Sequence, residues 1–372
     1  MNDLKRTLIV GGGIAGMSAA LCLRKLGTQV DLVEVDPSWR VYGAGITLAG
    51  ASLRALQALG LLDAVRSSGY IAGGLRVYTA SGQLLADNPP LSEDVVHAGG
   101  GIMRPALHRI LAEATRAAGT NVMLGDAVRA ITHVGSRAEV TFGDGRSETY
   151  DLVVGADGIY SQVRQLVFAD AATPQRTGQS CWRAAVPRPR DIDKATFIGG
   201  GRWPLGLIPV SNTHMYMFLL EHVPNEAWVD PGTLLERLRR TIADYSGVVS
   251  EVRESLGTDT PIVYRPLESI FVAGPWHRSR VVLLGDAVHA TTPHLAVGAG
   301  LAVEDALVLS EELSRAQSID TALEAYTARR YQRCKTIVET SLAIGASQMQ
   351  KAPPYAVFAL MQSIAPTLAQ PY

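Results

Sequence analysis

Lysine is nearly absent from this chain: it occurs only at residues 5, 25, 194, 335 and 351, and arginine supplies the rest of the positive charge. The 34 basic and 35 acidic side chains almost cancel, leaving a formal net charge of -1. No field remains to attract a phosphate backbone or an anionic bilayer, so neither nucleic acid nor a membrane is expected as a partner. Cysteine is scarce too. Cys22, Cys181 and Cys334 lie far apart with no CxxC spacing, which argues against a zinc site or a disulfide framework, and no metal is expected. A reducing compartment, the cytoplasm, fits this usage. Long apolar runs are also missing. Residues 7–23 resemble a leader segment only until Gly11, Gly12, Gly13 and Gly16 interrupt them, and no uninterrupted run approaches the roughly 20 residues that a membrane helix needs. No repeat or low-complexity segment is present.

What is present is a chain of 372 residues, 47% hydrophobic, long enough to bury a large core. Residues 7–10 form a β-branched apolar run that enters a glycine turn, residues 14–26 read as a buried helix closed by Gly27, and residues 29–35 read as a second strand. A right-handed crossover of this kind places the two strands in a parallel sheet. Helices are expected over 49–60 and 105–118, and an antiparallel meander over 127–150. Residues 151–156 and 281–284 carry the continuous apolar signature of buried parallel strands. Between them, short strands at 181–186, 205–210 and 215–220 and a helical stretch at 233–256 indicate a second, mixed sheet layer. Long helices over 299–315 and 321–350 close the chain. The expected class is α/β: a Rossmann-like domain made of residues 1–178 and 273–372, with an inserted mixed-sheet substrate domain over 179–272 and helices at the C-terminus.

The sharpest motif is Gly11-Gly12-Gly13-Ile14-Ala15-Gly16, a GxGxxG between strand and helix. Gly11 makes the tight turn, Gly13 lets a pyrophosphate approach the backbone, and Gly16 packs helix on strand. Ile14 and Ala15 open the helix whose N-terminus stabilises the phosphate charge. Glu34, followed by Val35 at the end of the second strand, is placed to accept a hydrogen bond from a ribose hydroxyl. Such a unit serves NAD and FAD alike.

Two later segments discriminate. Residues 155–164, GADGIYSQVR, and 285–293, GDAVHATTP, each set an aspartate just beyond an apolar strand. With the N-terminal glycine motif they resemble the DGxxSxxR and GDAxHxxxP motifs of the aromatic-ring hydroxylase family of FAD monooxygenases, over a span from about residue 7 to about residue 306. The resemblance implies FAD as cofactor, with Asp286 accepting from a ribityl hydroxyl, and Asp157 bridging the flavin and nicotinamide regions on a turn supported by Ser161 and Arg164. It implies Gly285 in the same loop, Arg104 near the pyrophosphate, Arg40 as a second such arginine before Gly45 and Ile46, and Gly298, Ala299 and Gly300 beneath the flavin ring. Where relatives usually carry a glycine and a glutamine just before that GxG, this chain has Ala296 and Val297, so a more apolar pocket is expected.

The implied reaction is NADH- or NADPH-dependent: reduced flavin takes up O2 as a C4a-hydroperoxide, and one oxygen passes to an electron-rich aromatic or heteroaromatic ring. Candidate catalytic residues are His214 and Tyr216, on one face of a strand together with His222, and Pro293 and His294, which are nearer the ring. Arg183, Leu207, Tyr216, Leu295, Ala296 and Val297 are the candidate substrate contacts. No residue is named as the catalytic base. His289 is read as a support for its loop. Two other readings stay open: a flavin oxidase, dehydrogenase or reductase on the same fold, and a non-catalytic flavin-binding redox sensor. A halogenase is disfavoured because residues 203–209, WPLGLIP, match a WxWxIP pattern only superficially. Oligomeric state is not set by the sequence; a homodimer is compatible with it.

Overall fold

The computed structural model describes residues 4–41, 43–90, 94, 98–168, 171–223 and 229–372. Strand Arg6–Val10 lies at the centre of a six-stranded sheet, parallel to Gln29–Glu34 on one side and to Leu152–Gly155 on the other. Asn121–Leu124 and Val281–Leu283 extend it in parallel, and the short strand His277–Arg278 closes one edge antiparallel. Its central strands are buried on both faces, which is why they read as unbroken apolar runs. Helices Ile14–Lys25 and Gly298–Arg315 pack against each other over this sheet, and Ile319–Met349 covers the second of them. Ser318 and Thr321 start that long helix with a reciprocal capping box. The meander appears as three antiparallel strands between residues 128 and 150.

The second sheet has seven strands and draws on more of the chain than residues 179–272. Its order is Ile262–Ser269, Gln175–Pro187, His214–His222, Leu205–Pro209, Ala195–Gly199, Leu75–Thr79 and Leu84–Asn88. The last two come from well before residue 179: Leu75–Thr79 joins by pairing parallel with Ala195–Gly199. A pairing over more than a hundred residues leaves no local trace in either strand. The helical stretch expected over 233–256 is two helices, Leu234–Thr241 and Val248–Ser255, because Gly247 between them takes φ +62°. These helices cover one face of the sheet, meeting Trp182, Ala184, Leu205, Leu207, Met215, Met217 and Leu219 in a second core. By strand alternation the other face, with Arg183, Ile208, Tyr216 and Phe218, is turned to the first domain. Among the described residues no helix is long and apolar enough to cross a membrane.

Candidate active site

The turn after the first strand is built by steric necessity. Gly11 has φ +106°, and a Cβ on Gly16 would run into the carbonyl oxygen of Gly11; here helix and turn touch backbone to backbone. Gly13 is the opposite case. A Cβ there would meet nothing within 4 Å, because this glycine faces an open cavity. Gly12 is tethered at both ends. Its N–H donates to Glu34 Oε2 at 2.7 Å, and its carbonyl accepts from Trp39 Nε1 at 2.8 Å. Trp39 holds φ +45°, rare for a bulky residue, and its ring meets His108 edge-on at 5.6 Å.

The cavity has a volume of about 370 Å³ and lies between the two sheets. From the first domain come Gly13, Ile14 and Ala15 at one helix N-terminus, and Val297, Gly298 and Ala299 at another. Gly45, Ile46 and Thr47 line it as well, with Arg104, Leu107 and His108 from a third helix, and Asp286 and Thr291 to Pro293 from the loop after the last parallel strand. The second sheet contributes Arg183, Tyr216 and Leu267. Two helices thus aim their unpaired first-turn N–H groups into one space, a site of positive potential.

Three charged side chains project into that space without a protein partner. Among the described residues, the side chains of Asp286, Arg104 and Arg183 make no hydrogen bond or ion pair. Asp286 and Arg104 remain accessible through the cavity although walls enclose them. Burial pushes the Asp286 carboxyl above its ordinary value, against the pull of His289 and Arg104. Burial and the nearby Arg183 push the Arg104 guanidinium down, with Asp286 opposing. Charged side chains that pair with no protein group and face one accessible cavity are free to bind a polar ligand, so this arrangement is that of a receptor for one. Tyr216 completes the far wall, its hydroxyl 2.5 Å from Thr47 Oγ1.

Below Asp286 lies a buried ionic network. His289 Nε2 is 2.7 Å from Asp305 Oδ2, which also accepts from the backbone N–H of Gly285 at 2.8 Å. Arg330 sits 2.8 Å from Asp305 Oδ1 and 2.8 Å from Glu304, and Arg333 makes a bidentate pair with Glu304. Burial alone would raise the Asp305 carboxyl, but His289 and Arg330 outweigh it and hold it below the usual range. Burial likewise opposes a charge on His289, yet Asp305 and Cys334 hold it well above its ordinary value. His289, Asp305 and Cys334 have a ligand-like spacing, but Arg330 already occupies one oxygen of the carboxylate. The network clamps the short helix Asp286–His289 that presents Asp286.

Several residues singled out from the sequence sit elsewhere. Leu207 is fully buried on the helix-covered face; its neighbour Ile208 packs with Tyr216, Ala44 and Val210 on the cavity side. Alternate strand residues point to opposite faces, so Leu207 is turned away from the first domain. His214 is exposed at the hairpin end of its strand and pairs with Thr213. His294 turns away from the cavity toward the long helix, its Nδ1 2.9 Å from Thr292 Oγ1 and its ring against Gly345. Leu295 packs into the main core. Asp157 spends both oxygens on its own turn, accepting from Ser161 Oγ and from Val163 N, while Ala156 and Gly158 line the cavity. Arg164 ties that turn to Ala287 at 2.6 Å. Arg40 is exposed on its loop. Val35 lines a separate, open groove with Asp126 and Arg129. Gly285 and Gly300 allow close approaches to Ala15 and Ser52. Thr47, His108 and Trp39 carry no motif and were not singled out from the sequence; the one signal available was the spacing of His108, one turn after Arg104.

A parallel sheet with a glycine turn, a second sheet folded over the cavity and unpaired polar groups between them form the arrangement of a dinucleotide-binding oxidoreductase. The chain belongs to the FAD-binding domain family, whose model matches residues 5–341, and it is an FAD-dependent monooxygenase of the aromatic-ring hydroxylase group. It is 34% identical over 341 residues to 2-heptyl-3-hydroxy-4(1H)-quinolone synthase of Pseudomonas aeruginosa, covering 91% of this chain and 88% of the relative. An FAD-dependent urate hydroxylase of Mycolicibacterium vanbaalenii is 28% identical over 348 residues, covering 90% and 86%. Klebsiella pneumoniae HpxO, solved with FAD and uric acid, superposes with a TM-score of 0.84 at 25% identity, covering 98% of this chain and 92% of that one.

Proposed function

We propose that this protein hydroxylates a small aromatic or heteroaromatic substrate, using FAD, O2 and NADH or NADPH. The observation that carries the reading is the cavity itself, in which a phosphate-binding turn and an unpartnered Asp286 face Arg183 and Tyr216 across one space. FAD fits the donor set. The open side of Gly13 and the amides of Ile14 and Ala15 would take the pyrophosphate with Arg104. Asp286, an acceptor without a partner, would take a ribityl hydroxyl, and Glu34 retains acceptor capacity for a ribose. Gly298 and Ala299 would offer their amides to the edge of the ring system. When bound and reduced, the flavin supplies the O2 activation that no side chain provides.

The protein's own contribution is positioning and electrostatics. Burial keeps the Tyr216 hydroxyl protonated, above its ordinary range, despite Thr47 and the two arginines. It therefore orients a substrate oxygen by hydrogen bonding and does not act as a base. Arg183 places a positive charge where a phenolate would form, lowering the substrate's own pKa. Ile46, Leu267, Pro293, Ala296 and Val297 exclude water around the ring. The test is a panel of phenols, hydroxybenzoates and heteroaromatic acids screened for stimulated NAD(P)H oxidation, with labelled O2 and product mass. Label in the product is the expected result. Substrate oxidation with all the oxygen recovered as peroxide would instead identify an oxidase or dehydrogenase.

A further inference from the structure

We infer that the substrate bears an apolar tail, and that the tail lies along a cross-strand row of the second sheet running from Arg183 through Phe218, Gly206 and Phe197 to Val77. The inference rests on the hydroxylase reading of the same cavity and names the substrate class within it. The row follows from the registers. Arg183 pairs with Phe218, Phe218 with Gly206, Gly206 with Phe197 and Phe197 with Val77, each on an adjacent strand. All five share the face opposite the helix-covered core, since their strand neighbours Trp182, Leu205, Leu207, Met217, Leu219 and Ile198 fill that core.

At its inner end the row is continuous with the cavity through Arg183 and through Tyr216, whose ring lies 6.1 Å from that of Phe218. Outward, Phe218 lies 6.1 Å from Phe197. A Cβ on Gly206 would strike the Phe218 ring, so the glycine lets that ring lie flat across the neighbouring strand. Beyond Arg183 the row carries no charge. The ions of this edge, Arg76, Asp87 and Lys194, pair with one another from the alternate positions. Phe197 is 37% exposed at the outer part of the row. At about 4.8 Å between strands, Arg183 to Phe197 spans roughly 14 Å, room for an extended chain of roughly ten atoms. A single exposed aromatic needs no explanation. An uncharged aromatic strip that adjoins the cavity wall at Arg183 and Tyr216 suits a hydrocarbon chain anchored by its ring inside.

The experiment uses the FAD-loaded enzyme and 4-alkylphenols with chains from zero to eight carbons, with Kd read from the perturbation of flavin absorbance and turnover read in parallel. Kd is expected to fall roughly twofold to fourfold per methylene until the row is filled. Phe197→Asp should collapse the ratio between the shortest and longest members at least tenfold, and Phe197→Leu should restore most of it. A flat series, or no binding at any length, overturns the tail. If Phe197→Asp changes a concentration-dependent dimer and leaves the slope intact, the strip belongs to a second copy and the inference also fails. Chain-length-dependent binding without labelled oxygen in any product would keep the row and sink the hydroxylase reading. Turnover of unsubstituted phenols with a flat series would do the reverse.

Discussion

Asp305 makes no contact with the cavity, yet its replacement should be among the most damaging single changes in the protein. Asp305→Asn keeps shape and one acceptor but removes the charge that faces both His289 and Arg330, all three of them fully or almost fully buried. His289 can shed its proton in response. Arg330 cannot, and the carboxylate left to it is Glu304, which it shares with Arg333. Breaking a buried pair by removing one partner costs about 3–5 kcal/mol, which at this chain length lowers the melting temperature by roughly 4–6 °C. The assay is the urea midpoint and melting temperature of the apoprotein, with Arg330→Met and the double variant completing a cycle. The double variant is expected to be less destabilised than Asp305→Asn alone. The network also fixes a pH window. Asp305, held below the usual carboxylate range, contributes stability that is present above its unfolded value near 4 and is lost on acidification through its folded value. His289, held well above its ordinary value, contributes stability complete below about 6.5 that is lost only as pH rises through its raised folded value. A midpoint for Asp305→Asn within 0.5 kcal/mol of the parent, or strict additivity with Arg330→Met, would refute the reasoning.

Asp286→Ala should purify largely colourless while folding normally, because the lost acceptor faces the cavity and supports no protein group; full yellow absorbance would sink its assignment. Gly13→Ala and Gly16→Ala should separate cleanly: the first keeps the parent melting temperature but loses flavin affinity by tenfold or more, whereas the second loses stability, since its Cβ meets backbone. Equal effects in both assays would contradict the cradle at Gly13. His294, pushed down to about 4 by burial, should show no imidazole titration by NMR between pH 6 and 8; a midpoint near 6.5 would place it in solvent. Ala296 stands at φ +54° on the cavity wall, so Ala296→Gly should relieve roughly 1 kcal/mol of strain. A drop in melting temperature would show that the entropy of the freed turn outweighs it.

What could be read from the sequence divides along a physical line. The placing of the glycine turn, Asp286 and the helix at Gly298 on one cavity was legible because each is encoded within a few residues: a turn, a close approach, a helix N-terminus. The buried parallel strands were legible from their unbroken apolar runs. Leu207 and Ile208 were not separable in this way. Both are apolar and both are buried, and only the packing of Leu234–Thr241 and Val248–Ser255 on one face decides which of them is turned toward Tyr216 and the first domain. The same holds for Asp157, which shares a motif with the cavity wall yet turns its carboxylate back to Ser161 and Val163. Strand Leu75–Thr79 joins the sheet through Ala195–Gly199, remote in the chain, and Leu84–Asn88 pairs only with Leu75–Thr79, so neither showed in the sequence as part of this layer. The half of the cavity that the first domain builds is thus written locally, in a turn, a loop and two helix N-termini. The substrate half is written in sheet register, where a shift of one residue exchanges Ile208 for Leu207 and replaces the whole cavity-facing row. Relatives that keep the first half can therefore diverge in the second by small changes of strand pairing, without altering a single residue of the flavin motifs.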